Sequence, residues 1–474
     1  MRKTKIICTL GPASSNKEII KELALAGMDM ARFNFSHGTH ESHLALFREL
    51  LAVRSELDFP IGAMLDTKGP EIRIGDFKND KICLKPGDPF TLTTRQVEGD
   101  ESIVSVSYPN LMQDLGDKSK ILIDDGLIEL QIESKTDTDV HCVVVSGGEI
   151  GSRKGINLPG THISMPYINE QDREDILFGV RTGFDVIAAS FVRSASDLIE
   201  LRNLLDENGG EHVNIMAKIE NPDGVENIHE IIEHCDAVMV ARGDLGVEIP
   251  LEDVPVIQKY IIKEARMAGK QVVTATQMLD SMVRNPRPTR AEATDVANAI
   301  YDGTSVTMLS GETASGKYPV EAVRTMARIA IRAENDIDYM KRFFENYAKF
   351  GTSDNVADAI SHATCLVAYN LNAKAIITVT YSGSTARMIS RFRPAIPIIA
   401  CTPNAETQRQ LTISWGVKPL LLGEERIPDI LFREAVSTAR RAGLVESGDK
   451  VVLTAGLPLA QAGKTNLIRV VTVP

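Results

Sequence analysis

Short apolar runs recur along the first two thirds of the chain, each ending on a polar or charged residue and each followed by a stretch of helical periodicity. Eight of them read as strands: Thr4 to Leu10, Met28 to Phe35, Ile61 to Asp66, Phe184 to Phe191, Val213 to Glu220, Ala237 to Ala241, Gln271 to Thr276 and Ser305 to Ser310. Thr289 to Tyr301 typifies the helical stretches. Thr289 and Glu292 have the spacing of a capping box, and Ala293, Val296, Ala297 and Ile300 repeat at i, i+3, i+4 and i+7. Repeated strand–helix units of this kind predict an α/β fold, a (β/α)8 TIM barrel over 1–67 and 168–344. Such a barrel carries its chemistry at the carboxyl ends of its strands.

The rhythm breaks between the third and fourth strands. From Lys68 to Tyr167 long helical patterns give way to alternating segments such as Lys120 to Ile123 and Val140 to Val145, with Pro86-Gly87 and Gly147-Gly148 as turn signals. The stretch 68–167 therefore reads as an inserted all-β domain. Because it leaves and re-enters the barrel at the catalytic rim, it is placed to act as a lid that excludes water. From 345 to 474 helices alternate with the strands Ala375 to Thr380, Pro397 to Cys401, Val417 to Leu422, Lys450 to Ala455 and Leu467 to Val473. This predicts a separate open α/β domain.

Composition narrows the function. With 43% hydrophobic and 24% charged residues the chain is an ordinary globular protein, and a net charge of −12 with 5% aromatics argues against nucleic acid or an anionic membrane surface as partner. No apolar run is long enough to span a bilayer and no signal peptide is evident, so the expected location is cytoplasmic. Cys8, Cys83, Cys142, Cys235, Cys365 and Cys401 lie far apart without a C-x-x-C, as expected for small core residues in a reducing compartment.

The candidate chemistry sits at the strand ends. Ile215-Met216-Ala217-Lys218-Ile219-Glu220 and Val238-Met239-Val240-Ala241-Arg242-Gly243-Asp244 each end a buried strand on charge. A lysine and two carboxylates converging there can hold a divalent metal on Glu220 and Asp244 beside a fixed cation, which suits a small, highly charged anion. Other strand ends add Arg32, Asn34, Ser36, Asp66, Thr67, Thr276, Ser310 and Glu312. One such residue is ordinarily a helix cap; the alignment of so many points to a shared site. Lys218 has two further readings, an ion pair with Glu220 and a Schiff-base lysine, and neighbouring metal carboxylates disfavour the second by keeping the amine charged.

Some motifs are decoys. Gly311 to Lys317 fits most of a Walker A loop, but Tyr318 replaces the required Ser or Thr and Pro319 removes an amide donor. Gly463-Lys464-Thr465 lacks the upstream glycine, where Pro458 stands. His37, His40 and His43 have ligand-like spacing without a carboxylate, so His40 and His43 read as exposed helix residues and only His37 as a functional candidate.

Five longer motifs change the picture: Met30 to Gly38, Leu65 to Arg73, Ala217 to Asn221, Ala241 to Glu248 and Thr274 to Met282, followed by Pro288 to Glu292. In order and content they resemble the pyruvate kinase family across essentially the whole chain, in the bacterial form without an extra carboxy-terminal domain. The resemblance implies transfer of the phosphoryl group of phosphoenolpyruvate to ADP, giving pyruvate and ATP. It implies Mg2+ or Mn2+ on Glu220 and Asp244, with Lys218 and Arg32 on the transferring phosphoryl group. Gly243, Asp244 and Thr276 would receive the substrate carboxylate. Asn34, Ser36, Asp66 and Thr67 match the family's K+ site, while Asn34, Phe35, Ser36, His37, Arg73 and Lys154 border the nucleotide. Glu71 goes with a K+ requirement that a lysine there would relieve. Ser382, Gly383, Ser384 and Thr385 match a site for a phosphorylated allosteric effector, and the late loop Ala455 to Thr465 lacks a tryptophan or arginine for a second phosphate. A homotetramer is also implied. The residues alone leave open a metal-dependent aldolase or lyase acting on pyruvate enolate.

Overall fold

The computed structural model describes residues 2–116, 119–350 (side chains to 345), 355–423, 427–458 and 464–474. Eight parallel strands close into a barrel. They are β1 (Lys5–Thr9), β2 (Met30–Asn34), β3 (Gly62–Asp66), β4 (Val186–Ala189), β5 (Asn214–Ile219), β6 (Ala237–Ala241), β7 (Gln271–Ala275) and β8 (Val306–Leu309), each hydrogen-bonded to its neighbours in sequence order, with β8 returning to β1. All eight expected strands are present; β3 and β6 keep their expected carboxyl ends, and the other six stop one or two residues earlier.

Alternation along the strands builds two cores. One parity, Ile7, Met30, Met64, Val186, Ala188, Met216, Met239, Val273 and Met308 among them, fills the barrel interior. The other, including Ile6, Ala31, Leu65, Ile187, Ala217 and Val240, packs against the surrounding helices. Helix Arg290–Asp302 begins on the expected capping box of Thr289 and Glu292 and ends on Gly303 at φ 102°, a left-handed conformation that glycine adopts without a Cβ penalty.

Between β3 and β4 lies a β domain with a seven-stranded and a two-stranded sheet and its own core around Phe90, Leu92, Ile121 and Leu130. After the barrel comes a five-stranded sheet whose last strand, Thr465–Thr472, runs antiparallel to Lys450–Gly456. This last domain packs on the amino end of the barrel. Arg409 pairs there with Asp185 at 2.7 Å, and Lys5 Nζ donates to the Val417 carbonyl at 2.7 Å. Among the described residues no helix is long and apolar enough to cross a membrane.

Candidate active site

Two residues beyond the last apolar layer, the inward positions of the barrel turn polar. Ile7 is followed at that parity by Thr9, Met30 by Arg32, Met64 by Asp66, Ala188 by Ser190 and Met216 by Lys218. These five side chains form one network at the carboxyl mouth. Lys218 Nζ, only 8% exposed, donates to Asp66 Oδ1 at 3.0 Å and to Ser190 Oγ at 2.6 Å, and pairs with Glu220 Oε1 at 3.0 Å. Its three N–H groups are thereby engaged. Arg32 donates through Nε to the other oxygen of Asp66 and through Nη1 to Thr9 Oγ1 at 3.0 Å.

Burial opposes charge throughout this network, so its pattern of signs decides what is ionised. At Lys218 burial is outweighed by Asp66 and Glu220, and the ammonium is held above the ordinary lysine range. At Asp66 burial is outweighed by Arg32 and Lys218, so the carboxylate stays charged. Glu220, 1% exposed, is different. Burial, with Asp244 adding repulsion against the pull of Lys218, pushes it up to about 8. A buried acid beside a second acid is short of positive charge, and two neighbouring carboxylates are hard oxygen donors of the kind Mg2+ or Mn2+ takes. Among the described residues no group of three or more His, Cys, Asp or Glu is arranged to hold a metal. A cation on this pair would complete its shell with oxygens from outside the chain.

Two strained backbones shape the site. Phe191, at φ 54°, aims its amide at Glu220 Oε2, 2.7 Å away. Thr276, at φ 67°, follows the inward-facing Ala275 and would point outward in a regular strand. The left-handed turn instead brings its hydroxyl to the Gly243 amide, which donates to it at 2.7 Å. Arg242 locks this turn by donating to the Ala275 and Thr276 carbonyls while pairing with Asp295 at 2.7 Å. Asp244 lies in the first turn of the helix Arg242–Glu248.

A cavity of about 560 Å³ opens beside the network between barrel and inserted domain, and its wall includes His37, Phe191 and Asp244 from the barrel and Glu71, Arg73, Asp125 and Lys154 from the inserted domain. Asn157 Nδ2 ties the two by donating to Glu248 Oε1 at 2.8 Å. Asp125 is raised by burial and then by Asp244, which places a further acid of the inserted domain against the metal-ligand candidate.

The other expected residues fall in three places. Asn34 and Asp66 are register partners on β2 and β3; Asn34 Oδ1 accepts from the Ser36 amide at 3.2 Å, and Thr67 Oγ1 accepts from the Ser190 amide at 3.1 Å. Glu312 is not at the cavity: both its oxygens accept backbone amides, from Leu279 at 3.0 Å and Ser310 at 2.8 Å, so the Walker-like segment is a brace between strand ends. Ser382 to Thr385 lie far along the chain, where Gly383 at φ 79° opens the helix Ser384–Arg391; Thr385 Oγ1 meets Thr465 Oγ1 at 2.8 Å. The loop expected to lack a second phosphate ligand, and Gly463 with it, lie partly or wholly outside the described residues.

The reading of His40 and His43 needs correction. His43 is buried, stacks on Phe35 with ring centroids 4.1 Å apart and bonds the His37 carbonyl at 2.8 Å. His40 Nε2 meets Asp175 Oδ1 at 2.6 Å. The helix pattern could not reveal a carboxylate 135 residues away. Sequence reasoning also missed Thr9, Ser190, Asp125 and Arg242. The parity of the interior positions was the available signal for Thr9 and Ser190.

A closed barrel that concentrates fixed cations and metal-seeking acids at its mouth, under a second domain bringing Arg73 and Lys154, is built for a multiply charged anion. That is the equipment of a phosphotransferase. A family model described as the pyruvate kinase barrel domain matches residues 1–323, and one described as the pyruvate kinase alpha/beta domain matches 358–471. Pyruvate kinase from Clostridium acetobutylicum is 49% identical over 471 residues, covering 99% of either chain. That from Sporosarcina psychrophila is 48% identical over 472 residues, covering 99% of this chain and 80% of the relative. The crystal structure of a pyruvate kinase from Cryptosporidium parvum has a TM-score of 0.94 and 41% identity, covering 100% of this chain and 96% of that one. The chain belongs to the pyruvate kinase family and is a phosphotransferase. The enolate lyase considered from the residues alone finds no support in these similarities.

Proposed function

We propose that the chain transfers the phosphoryl group of phosphoenolpyruvate to ADP, and that the saturated, buried Lys218 network beside the Glu220–Asp244 pair is the feature that carries this reading. The P–O bond to the enol oxygen breaks, a P–O bond to the β-phosphate of ADP forms, and the enolate left behind takes a proton at its terminal carbon to give pyruvate. Charge spreads over the phosphoryl oxygens during the transfer, so fixed cations that need no reorganisation lower the barrier most. Lys218 and Arg32 supply them, held by Asp66.

Glu220 and Asp244 would hold Mg2+ or Mn2+, which supplies further positive charge to substrate oxygens when bound. The substrate carboxylate is assigned to Gly243, Asp244 and Thr276; the Gly243 amide exchanges the Thr276 hydroxyl for it. Asn34, Ser36, Asp66 and Thr67 are assigned to K+, with Phe35, His37, Arg73 and Lys154 joining Asn34 and Ser36 along the nucleotide. Lys154 pairs with Asp124 at 2.9 Å, and closure of the inserted domain would redirect it. We place the units at 1–67 with 168–344, 68–167 and 345–474, the effector phosphate at Ser382 to Thr385, the assembly as a homotetramer and the enzyme in the cytoplasm.

The test is a coupled assay of ATP formed from phosphoenolpyruvate and ADP with divalent metal and K+. ATP formation that needs both ions supports the reading; cleavage of a hydroxy-keto acid without ATP overturns it.

A further inference from the structure

The amino end of the barrel, remote from the Lys218 network, gathers three arginines, one buried and two half-buried, that make no ion pair among the described residues. Arg266 on the helix Val254–Met267, Arg342 on the helix Tyr339–Phe350 and Arg393 of the carboxy-terminal domain converge on the last turn of the helix Arg290–Asp302. Arg342 Nη1 donates to the Tyr301 carbonyl at 3.1 Å. Arg393 Nη2 donates to the Gly303 carbonyl and to Ser305 Oγ, both at 2.9 Å. Arg266 Nη1 stands 3.2 Å from where a Cβ on Gly303 would be. Among the described residues none of the three makes an ion pair, although 2.7 Å pairs such as Arg409–Asp185 occur at the same barrel end.

A helix end attracts cations, and that accounts for one N–H from Arg342 and one nitrogen of Arg393. It does not account for the rest. Arg393 is 8% exposed, yet its Nε and Nη1 have no hydrogen-bond partner, and neither has Arg266 Nε. Tyr339, also 8% exposed, leaves its hydroxyl unpartnered beside them; its ring and the Arg393 guanidinium share the indole of Trp415, with centroid distances of 5.4 and 4.7 Å. Glu334, the acid that acts on Arg393 and Tyr339, is spent on the Lys3 and Thr4 amides. Donors and a hydroxyl gathered in one buried place that do not meet one another call for a third group between them. Water would satisfy the dipoles but leave the charge uncompensated, at substantial cost in a dry interior. An anion does both.

We infer that Arg266, Arg342, Arg393 and the Tyr339 hydroxyl form a seat for a tetrahedral phosphate dianion, free or as a phosphomonoester, at the joint between barrel, linking helix and carboxy-terminal domain. Guanidinium groups are suited to phosphate oxygens by geometry as well as charge. The seat is separate from the Ser382 to Thr385 loop, and because its arginines come from three parts of the chain, its ligand fixes the carboxy-terminal domain on the barrel.

The experiment uses the full chain with Mg2+ and phosphoenolpyruvate present to fill the catalytic mouth. Inorganic phosphate and glycerol 3-phosphate are titrated against potassium chloride at matched ionic strength, following heat of binding and melting temperature. At least one phosphate probe is expected to bind and raise the melting temperature beyond the chloride control. Arg266→Gln and Arg342→Gln should each weaken that binding roughly ten-fold, while Ser384→Ala leaves it intact. Preference for inorganic phosphate assigns the free ion, and preference for the ester assigns an esterified ligand. Absence of any phosphate-specific effect in the wild type overturns the seat, as does wild-type affinity in both glutamine variants or loss of binding in Ser384→Ala alone. The buried Arg393→Gln is a third variant, and its failure to fold leaves the other two decisive.

Discussion

Two aspartates, Asp66 and Asp185, are buried at opposite ends of the same barrel, each clasped by two cations, and they do opposite things. Asp66 at the carboxyl end holds Arg32 and Lys218. Asp185 at the amino end holds Arg409 at 2.7 Å and Arg54 at 3.2 Å, and its Oδ2 also accepts the Ala63 amide at 2.9 Å. Burial wins at Asp185 and raises its pKa despite both arginines; the cations win at Asp66 and lower it. The amino-end cluster is sealed under the carboxy-terminal domain and spends its charge on the chain itself. The carboxyl-end cluster borders a cavity and carries more acid than cation: Glu220 shares Lys218 with Asp66, and Asp244 makes no ion pair among the described residues. A buried ion pair is therefore no sign of a site by itself; surplus charge next to open space is.

Removing Lys218 should give the largest contrast. Lys218→Met takes away a fixed cation from the transferring group and should lower kcat by roughly a thousand-fold, measured under saturating substrates and metal. Arg409→Gln breaks a buried pair and should cost roughly 3 kcal/mol in urea unfolding, while kcat per folded molecule stays near wild type. A kcat loss in Arg409→Gln as deep as that in Lys218→Met would erase the distinction between the two ends.

How much of this was legible beforehand depends on distance along the chain. Strand ends located Arg32, Asp66, Lys218 and Glu220 because each closes an apolar run. Ser190 ends such a run too, but a small hydroxyl carries no charge signal, and its role emerges only when Lys218 is seen to donate to it. The turns at Phe191 and Thr276 were invisible, since an L-residue held at positive φ leaves no mark of the kind glycine leaves. Asp185 and Arg409 are 224 residues apart, and periodicity says nothing about partners at that range. His43 looked polar and exposed in a helical pattern, yet Phe35 covers it.

The acidity of Glu220 offers a smaller, pH-dependent test of the surplus. Its folded pKa lies above that of an ordinary carboxylate, so between that range and about 8 the metal-free folded protein holds a proton that the unfolded chain has released. Stability of the metal-free protein should therefore fall as pH rises through this window. Glu220→Gln should flatten this component of the slope, and bound Mn2+, which displaces the proton, should shift it to lower pH. A metal-free melting curve whose slope over this window is identical in wild type and Glu220→Gln would place the surplus charge elsewhere.

The finest adjustment concerns which cation completes the carboxyl end. Glu71 lies on the cavity wall and accepts from Arg73 Nε at 2.9 Å, so its charge is partly answered within the inserted domain. Glu71→Lys both removes that acid and brings a tethered ammonium to the wall. If the carboxyl end works by accepting exchangeable cations, this substitution should leave folding within about 0.5 kcal/mol of wild type, as for a partly exposed position, and reduce the K+ needed for half-maximal rate by several-fold. Substrate titration at low K+ is the measurement. Full K+ dependence in a well-folded Glu71→Lys would mean that the monovalent cation acts at a place the tethered ammonium does not reach, and the assignment of Asn34, Ser36, Asp66 and Thr67 would lose its link to Glu71.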